Sequence, residues 1–127
     1  MTEAGVLIAQ DGCPLFWHLP VDRSAAHLGD DRMLWDQFWD NRKVIAGFAH
    51  SHPGSGMPHP SMTDLTTFAA IEAALGARLT WWITSSDQLI ALAWTGPDQY
   101  TYSITRLVLE PEWVRELRRV SIQGNTP

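Results

Sequence analysis

The segment GFAHSHPGSGMPHPSMTDL, residues 47–65, joins two stretches of different periodicity. Before its histidines, KVIAGFAH (43–50) is a run of small and β-branched apolar residues without polar alternation, which predicts a buried central strand. After its prolines, SMTDLTTFAAIEAALG (61–76) predicts a helix that ends at Gly76. The residues between them are therefore expected to connect the end of a strand to the start of a helix.

The rest of the pattern predicts a mixed sheet with helices packed on it. Two strands and a helix precede the central strand: AGVLIAQ (4–10), PLFWHLP (14–20) and DRMLWDQFWDN (31–41). Three strands and a final helix follow: RLTWWITS (78–85), QLIALAWT (88–95), QYTYSITRLVL (99–109) and EPEWVRELRR (110–119). This order indicates one α/β (α+β) layered domain over residues 1–120, with residues 121–127 as a loose C-terminal tail. Trp81, Trp82 and Trp94 are expected in its core.

Composition and charge narrow the class of protein. The 127 residues are 45% hydrophobic and 18% charged, which is typical of a globular domain long enough to bury a core. A net charge of −5 without a basic patch argues against nucleic-acid binding. The single cysteine, Cys13, excludes a disulfide framework within the chain. With no leader peptide or membrane span expected, the predicted location is the cytoplasm.

His50 and His52 stand two apart where the central strand ends, so both imidazoles should project from the same face. Ser61 and Asp64 form an S-x-x-D pattern before an apolar run, which predicts a helix cap. A carboxylate in that first turn could also face the histidines. Two imidazoles and one carboxylate suit zinc and leave a fourth position for water, the arrangement of catalytic sites. A chance H-x-H and a helix cap without further function are the alternatives.

HSHPGSGMPHPSMTD, residues 50–64, resembles the motif of the JAMM (MPN+, JAB, Mov34/PAD-1) metalloprotease family, most closely its compact bacterial branch. The resemblance implies an MPN/JAB-like mixed sheet with cytidine-deaminase-like layering. It also implies a Zn²⁺ ion bound by His50, His52 and Asp64, which would activate water and polarise the scissile carbonyl. Ser61 would then help to stabilise the oxyanion.

The family also uses a glutamate from the first strand as general base, and TEAGVLIA (2–9) offers Glu3. Glu3 lies one position closer to its glycine than the family pattern has it. Two alternatives are a solvated charge on a frayed N-terminus and a weaker substitute base, Asp11. The helix that precedes the first strand in the family is missing, so Glu3 would lack support unless a partner or second subunit covers it. The loop 54–60 is one residue longer than usual, and His59 within it is expected to be exposed.

The function that the resemblance implies is a zinc-dependent isopeptidase or peptidase of the JAMM type. Its substrate would be the C-terminal tail of a ubiquitin-like or sulfur-carrier-like protein. One alternative is an MPN-like metal-binding scaffold that is inactive without a partner, and another is a small-molecule amide hydrolase. No nucleic acid or membrane partner is expected, whereas a homodimer or a partner protein stays open.

Overall fold

The computed structural model describes residues 1–123, which form six strands and three helices. In chain order they are β1 (Gly5–Ala9), β2 (Pro14–His18), α1 (Arg32–Asp40), β3 (Ile45–Ser51), α2 (Met62–Leu75), β4 (Thr80–Thr84), β5 (Leu89–Trp94), β6 (Tyr102–Leu107) and α3 (Glu112–Gln123). The predicted order of elements and the mixed α/β class are confirmed. Within this part of the chain, no helix combines the length and the apolar character needed to cross a membrane.

A single six-stranded sheet runs in the order β2-β1-β3-β4-β5-β6. β3 and β4 pair in parallel, with α2 as the connection between them, and every other pair is antiparallel. The predicted central strand is therefore an inner strand of the sheet, and all of its residues except the half-buried Ala46 are buried. A Cβ at Gly47 would stand 1.6 Å from the Thr80 carbonyl oxygen, so the close approach of β3 to β4 requires glycine there.

Helices cover both faces of the sheet. Leu7 of β1 and Phe48 of β3 belong to a core cluster with the inner faces of α1 and α2. Val6 and Ala49, their neighbours along the same strands, belong to a second cluster with α3. This split follows from the alternation of side chains along a strand. The fold is thus a sheet between two helical layers.

The three predicted core tryptophans occupy different environments. Trp81 is 1% exposed and stacks on Phe68. Trp82 points to the opposite face and is half-buried against α3. Trp94 is half-buried, with the Arg78 guanidinium 3.9 Å from the centre of its ring. Only Trp81 is a fully buried core residue, because consecutive strand positions face opposite sides and Trp94 ends its strand.

The predicted C-terminal tail, residues 121–127, is helical in its first three positions because α3 continues to Gln123. Ser121 is buried, its carbonyl accepts the Thr2 N–H at 2.9 Å and its hydroxyl accepts the Ser51 hydroxyl at 2.9 Å. These bonds hold the helix end against the N-terminus and β3. The remaining tail positions, 124–127, lie outside the described residues.

A buried carboxylate fixes α2 on the sheet. Glu72 accepts hydrogen bonds from the Leu79 N–H at 2.9 Å, the Trp81 indole at 3.0 Å and the Tyr102 hydroxyl at 2.6 Å, and it pairs with Arg78 at 3.1 Å. Burial raises the pKa of Tyr102 well above its usual value, and the Glu72 carboxylate raises it further. Because these donors come from the β4 and β6 side of the molecule, the helix has one orientation over the sheet.

Candidate metal centre

His50 and His52 converge at the carboxyl end of β3. The His52 N–H donates to the Thr84 carbonyl at 2.9 Å, which continues the strand geometry beyond Ser51. The two Nε2 atoms lie 3.0 Å apart, as expected for side chains on one face of a strand. His50 is 4% exposed, and its ring stacks on Phe48 with centroids 6.4 Å apart. The strand and the aromatic core therefore hold both imidazoles in place.

Asp64 faces the histidines from the first turn of α2. Its Oδ1 lies 3.3 Å from the His50 Nε2, and its Oδ2 lies 3.3 Å from the His52 Nε2. The predicted capping box is present: the Ser61 hydroxyl accepts the Asp64 N–H at 3.0 Å, and the Ser61 N–H donates to the Asp64 Oδ2 at 2.8 Å. The cap thus orients the carboxylate toward the histidines.

The spacing of these donor atoms fits a metal ion. Zinc bonds of about 2.0–2.1 Å at tetrahedral angles place neighbouring ligand atoms about 3.3 Å apart. The Nε2 atoms of His50 and His52 lie 3.0 Å apart, and each lies 3.3 Å from a different oxygen of the Asp64 carboxylate, Oδ1 for His50 and Oδ2 for His52. Protons alone satisfy this cluster poorly, because two Nε2–H groups that both donate to Asp64 would face each other. The residues present therefore fit a divalent cation, with zinc among those that such a donor set accepts.

Charge within the cluster favours an ionised carboxylate. Burial would raise the pKa of Asp64, but the contacts with His50 and His52 hold it far below its usual range. Burial lowers the pKa of His52, whereas its contact with Asp64 and the charges of Asp64 and Glu3 raise it, and the net change is upward. An ionised carboxylate beside the imidazoles supplies a negative charge that attracts a cation.

Glu3 lies beside the histidine pair. One carboxylate oxygen of Glu3 and one ring nitrogen from each of His50 and His52 lie within 4.8 Å of one another. Glu3 is 8% exposed. Burial raises its pKa, and the charges of the two histidines only partly offset this. Of the two carboxylates, Asp64 has the shorter distances and matches a third ligand. Glu3 remains available as a neighbouring base or a further ligand.

The N-terminal segment that carries Glu3 is held by the rest of the chain. Buried Arg23 donates to the Glu3 carbonyl at 2.9 Å and to the Val120 carbonyl at 3.1 Å. The Glu3 N–H donates to the Ser24 carbonyl at 2.7 Å, and the Ala4 N–H to the Ser51 hydroxyl at 3.0 Å.

One alternative and one expectation drawn from the sequence of this segment are therefore wrong. Glu3 is not a solvated charge on a frayed terminus, and it does not need a missing helix or a partner to support it. The loop 20–31 and α3 take that place. A Cβ at Gly5 would stand 2.3 Å from the Phe48 ring, so the glycine after Glu3 allows β1 to close over the core. Asp11 is exposed at the other end of β1, where it bonds the Cys13 N–H.

The longer loop 54–60 is tied to the turn between β4 and β5. Ser86 donates its N–H to the Gly54 carbonyl at 2.8 Å, and the Gly56 N–H donates to the Asp87 carboxylate at 2.8 Å. Gly56 has a φ of 89°, a conformation that favours glycine. His59 is exposed, as predicted. These bonds fix the loop while Asp64 stays 3.3 Å from each of the two histidines.

A cavity of about 530 Å³ opens beside the cluster. Glu3, His50, His52, Ser61 and Asp64 lie along it, together with the wall formed by residues 25–30. Sequence reasoning missed further lining residues on α2, among them Thr67 and Phe68. Helical spacing was a usable signal, because these residues lie three and four positions after Asp64. His27 is an exposed loop residue that also lines the cavity, and no sequence pattern predicted this position.

No family model matches the chain, and no curated protein matches it either.

Proposed function

We propose that this chain is a zinc-dependent isopeptidase or peptidase of the JAMM type with an MPN/JAB-like fold. The observation that carries the proposal is the convergence of His50, His52 and Asp64 at ligand–ligand distances, with the buried carboxylate of Glu3 next to them. The resemblance of residues 50–64 to the JAMM motif supplies the reaction class, which is hydrolysis of an amide bond. The substrate it suggests is the tail of a ubiquitin-like or sulfur-carrier-like protein.

His50, His52 and Asp64 would hold the metal, and the bound metal would supply Lewis-acid activation of water and carbonyl. Glu3 accepts a proton from the water whose oxygen attacks the carbonyl carbon. It returns that proton to the nitrogen when the carbon–nitrogen bond breaks, so the products are an acid and an amine. The Ser61 hydroxyl accepts one bond from the Asp64 N–H and keeps its own O–H to donate to the developing oxyanion.

The test pairs metal analysis with cleavage of carrier fusions that contain a Gly-Gly junction. We expect about one zinc per chain, and we expect Glu3→Gln to keep the zinc while cleavage falls roughly 10²- to 10⁴-fold. Asp11→Asn is the matched control, since Asp11 lies at the far end of β1, and it should change neither. If His50→Ala left metal content and cleavage unchanged, the proposal would be wrong. Stable zinc binding without cleavage of any amide would indicate the metal-binding scaffold instead.

The second candidate is a small-molecule amide hydrolase. The cavity beside the cluster favours it, because about 530 Å³ is within the usual size range of small-ligand sites. A threaded Gly-Gly tail has no side chains to fill such a space. A panel of small amides, assayed beside the carrier fusions with the same zinc-loaded protein, separates the two candidates by their kcat/KM values.

A further inference from the structure

The cavity beside the metal cluster has an aromatic interior. Phe48 and Phe68 line it, and their rings lie 6.4 and 6.3 Å from the His50 ring, measured between centroids. Trp81 lines it as well, and its ring stacks on Phe68 with centroids 4.3 Å apart. Leu28 closes the side formed by the loop 25–30. The apolar lining of the cavity therefore extends to His50, one of the proposed metal ligands.

The cavity is lined by three carboxylates, from Glu3, Asp30 and Asp64, and by three histidines. None of the described residues that line it is a lysine or an arginine. An anionic group that entered the cavity would therefore meet carboxylates without a lysine or arginine to offset its charge. Burial of an apolar group, by contrast, gains free energy in proportion to the area removed from water.

We propose that this cavity binds a bulky, uncharged apolar side chain, aromatic or branched aliphatic, on a residue that flanks the scissile amide. The cleavage of the neighbouring amide rests on the proposed function, whereas the binding of the side chain does not. A substrate with glycine on both sides of the bond has no side chain to place in the cavity. A substrate with phenylalanine or leucine on one side removes that side chain from water there.

Binding is measured first on the chelator-treated full chain, where no hydrolysis can occur. The probes are N-acetylphenylalaninamide, N-acetylglycinamide and N-acetylphenylalanine as the free acid. Their dissociation constants are measured by ligand-observed NMR titration. We expect the phenylalanine amide to bind at least about tenfold more tightly than either comparator, from the free energy of burying one large apolar side chain. Equal binding of the glycine amide or of the free acid overturns the inference.

Filling the cavity should abolish this preference. Thr67 is half-buried and lines the space, whereas Thr66 is exposed on the neighbouring position of the same helix, so Thr67→Phe and Thr66→Phe form a matched pair. Thr67→Phe should remove the preference and Thr66→Phe should keep it. Ala26→Phe, on the exposed loop wall, fills the same space from the other side and serves if Thr67→Phe does not fold. A preference that survives both filling substitutions overturns the inference.

The cleavage arm separates this inference from the proposed function. The zinc-loaded protein is assayed on peptides with Phe-Gly, Gly-Phe and Gly-Gly at the candidate bond. We expect one of the two phenylalanine peptides to exceed the Gly-Gly peptide in kcat/KM by about ten- to a hundredfold. Cleavage of all three at equal rates overturns the inference and leaves the proposed function standing. Preferential binding without cleavage of any amide supports the inference and overturns the proposed function.

Discussion

Asp64 has two roles that depend on different atoms. Its backbone N–H completes the cap with the Ser61 hydroxyl, and its carboxylate bonds the Ser61 N–H while it faces both histidines. The amide of asparagine can still accept the Ser61 N–H through its one oxygen, but it lacks the negative charge. The two roles can therefore be separated by one substitution.

We expect Asp64→Asn to weaken zinc binding by about a hundredfold or more, while the metal-free protein keeps its helix cap but loses the stability that the ionised carboxylate gains from His50 and His52. The physical reason is that the cap keeps an acceptor and the metal loses an anionic ligand. Competition with a chelating dye gives the affinity, and urea unfolding after chelation gives the stability. A loss of stability without any loss of zinc affinity would mean that Asp64 is a cap and nothing more.

At the residue scale, the sequence predicts those side-chain positions that depend on the local backbone geometry alone. His50 and His52 lie two apart on a strand, and the Ser61–Asp64 pattern is a local cap, so short-range rules place each pair. The burial of Glu3 depends instead on Arg23 and on α3, which are distant in sequence. No local sequence pattern predicts that Arg23, in a loop, donates a hydrogen bond to the Glu3 carbonyl.

The start of α2 is the element on which the cluster depends, because it sets the distance from Asp64 to the end of β3. We expect Ser61→Ala to cost about 1 kcal/mol of unfolding free energy in the metal-free protein, since the Asp64 N–H loses its acceptor. Zinc affinity should fall only a few-fold, because the bond from the Ser61 N–H to the carboxylate is made by backbone and survives.

Thr66→Ala is the control for this prediction. Thr66 is exposed on the same helix, and its hydroxyl donates to the Met62 carbonyl without contact to Asp64. Its effect on both quantities should be smaller than that of Ser61→Ala. A loss of zinc affinity in Ser61→Ala as large as that in Asp64→Asn would show that the hydroxyl, rather than the backbone N–H, orients the ligand.

Element types were predictable and element ends were not, and the reasons are physical. The apolar spacing of α3 reaches Val120, and the helix continues to Gln123, where Ser121 bonds Thr2 and Ser51 across the fold. Trp94 belongs to a strand by pattern but packs under Arg78 rather than in the core. In each case a tertiary contact, which sequence periodicity does not encode, determines the outcome.

At the scale of the whole molecule, the N-terminal segment is held from three directions: the loop 20–31, β3 and α3. Arg23 joins the first of these to the last, because its guanidinium bonds the carbonyls of Glu3 and Val120. We expect Arg23→Met to lower the rate of amide cleavage per bound zinc by roughly ten- to a hundredfold, since a base displaced by about 1 Å loses that much. Zinc affinity should stay close to that of the wild type.

The measurement for Arg23→Met is made well below its unfolding temperature, so that loss of fold does not contribute. Arg23→Lys is the conservative variant and should recover part of the rate, because an ammonium can bond one of the two carbonyls but not both. If Arg23→Met cleaved as fast as the wild type per bound zinc, Glu3 would be held without it, and the positioning role would be rejected.

The proposed metal ligands come from the end of β3 and the start of α2, so a bound ion would join two elements that the unfolded chain does not bring together. Binding to the folded state alone stabilises it by RT ln(1 + [Zn]/Kd), about 2.7 kcal/mol at a hundredfold excess over Kd. For a domain of this size that corresponds to an increase of roughly 10 °C in the unfolding temperature. We expect zinc to produce this increase, a chelator to reverse it, and His50→Ala to abolish it. A zinc-induced increase of the same size in His50→Ala would locate the ion elsewhere, since the imidazole of His50 lies 3.3 Å from Asp64 at the centre of the cluster.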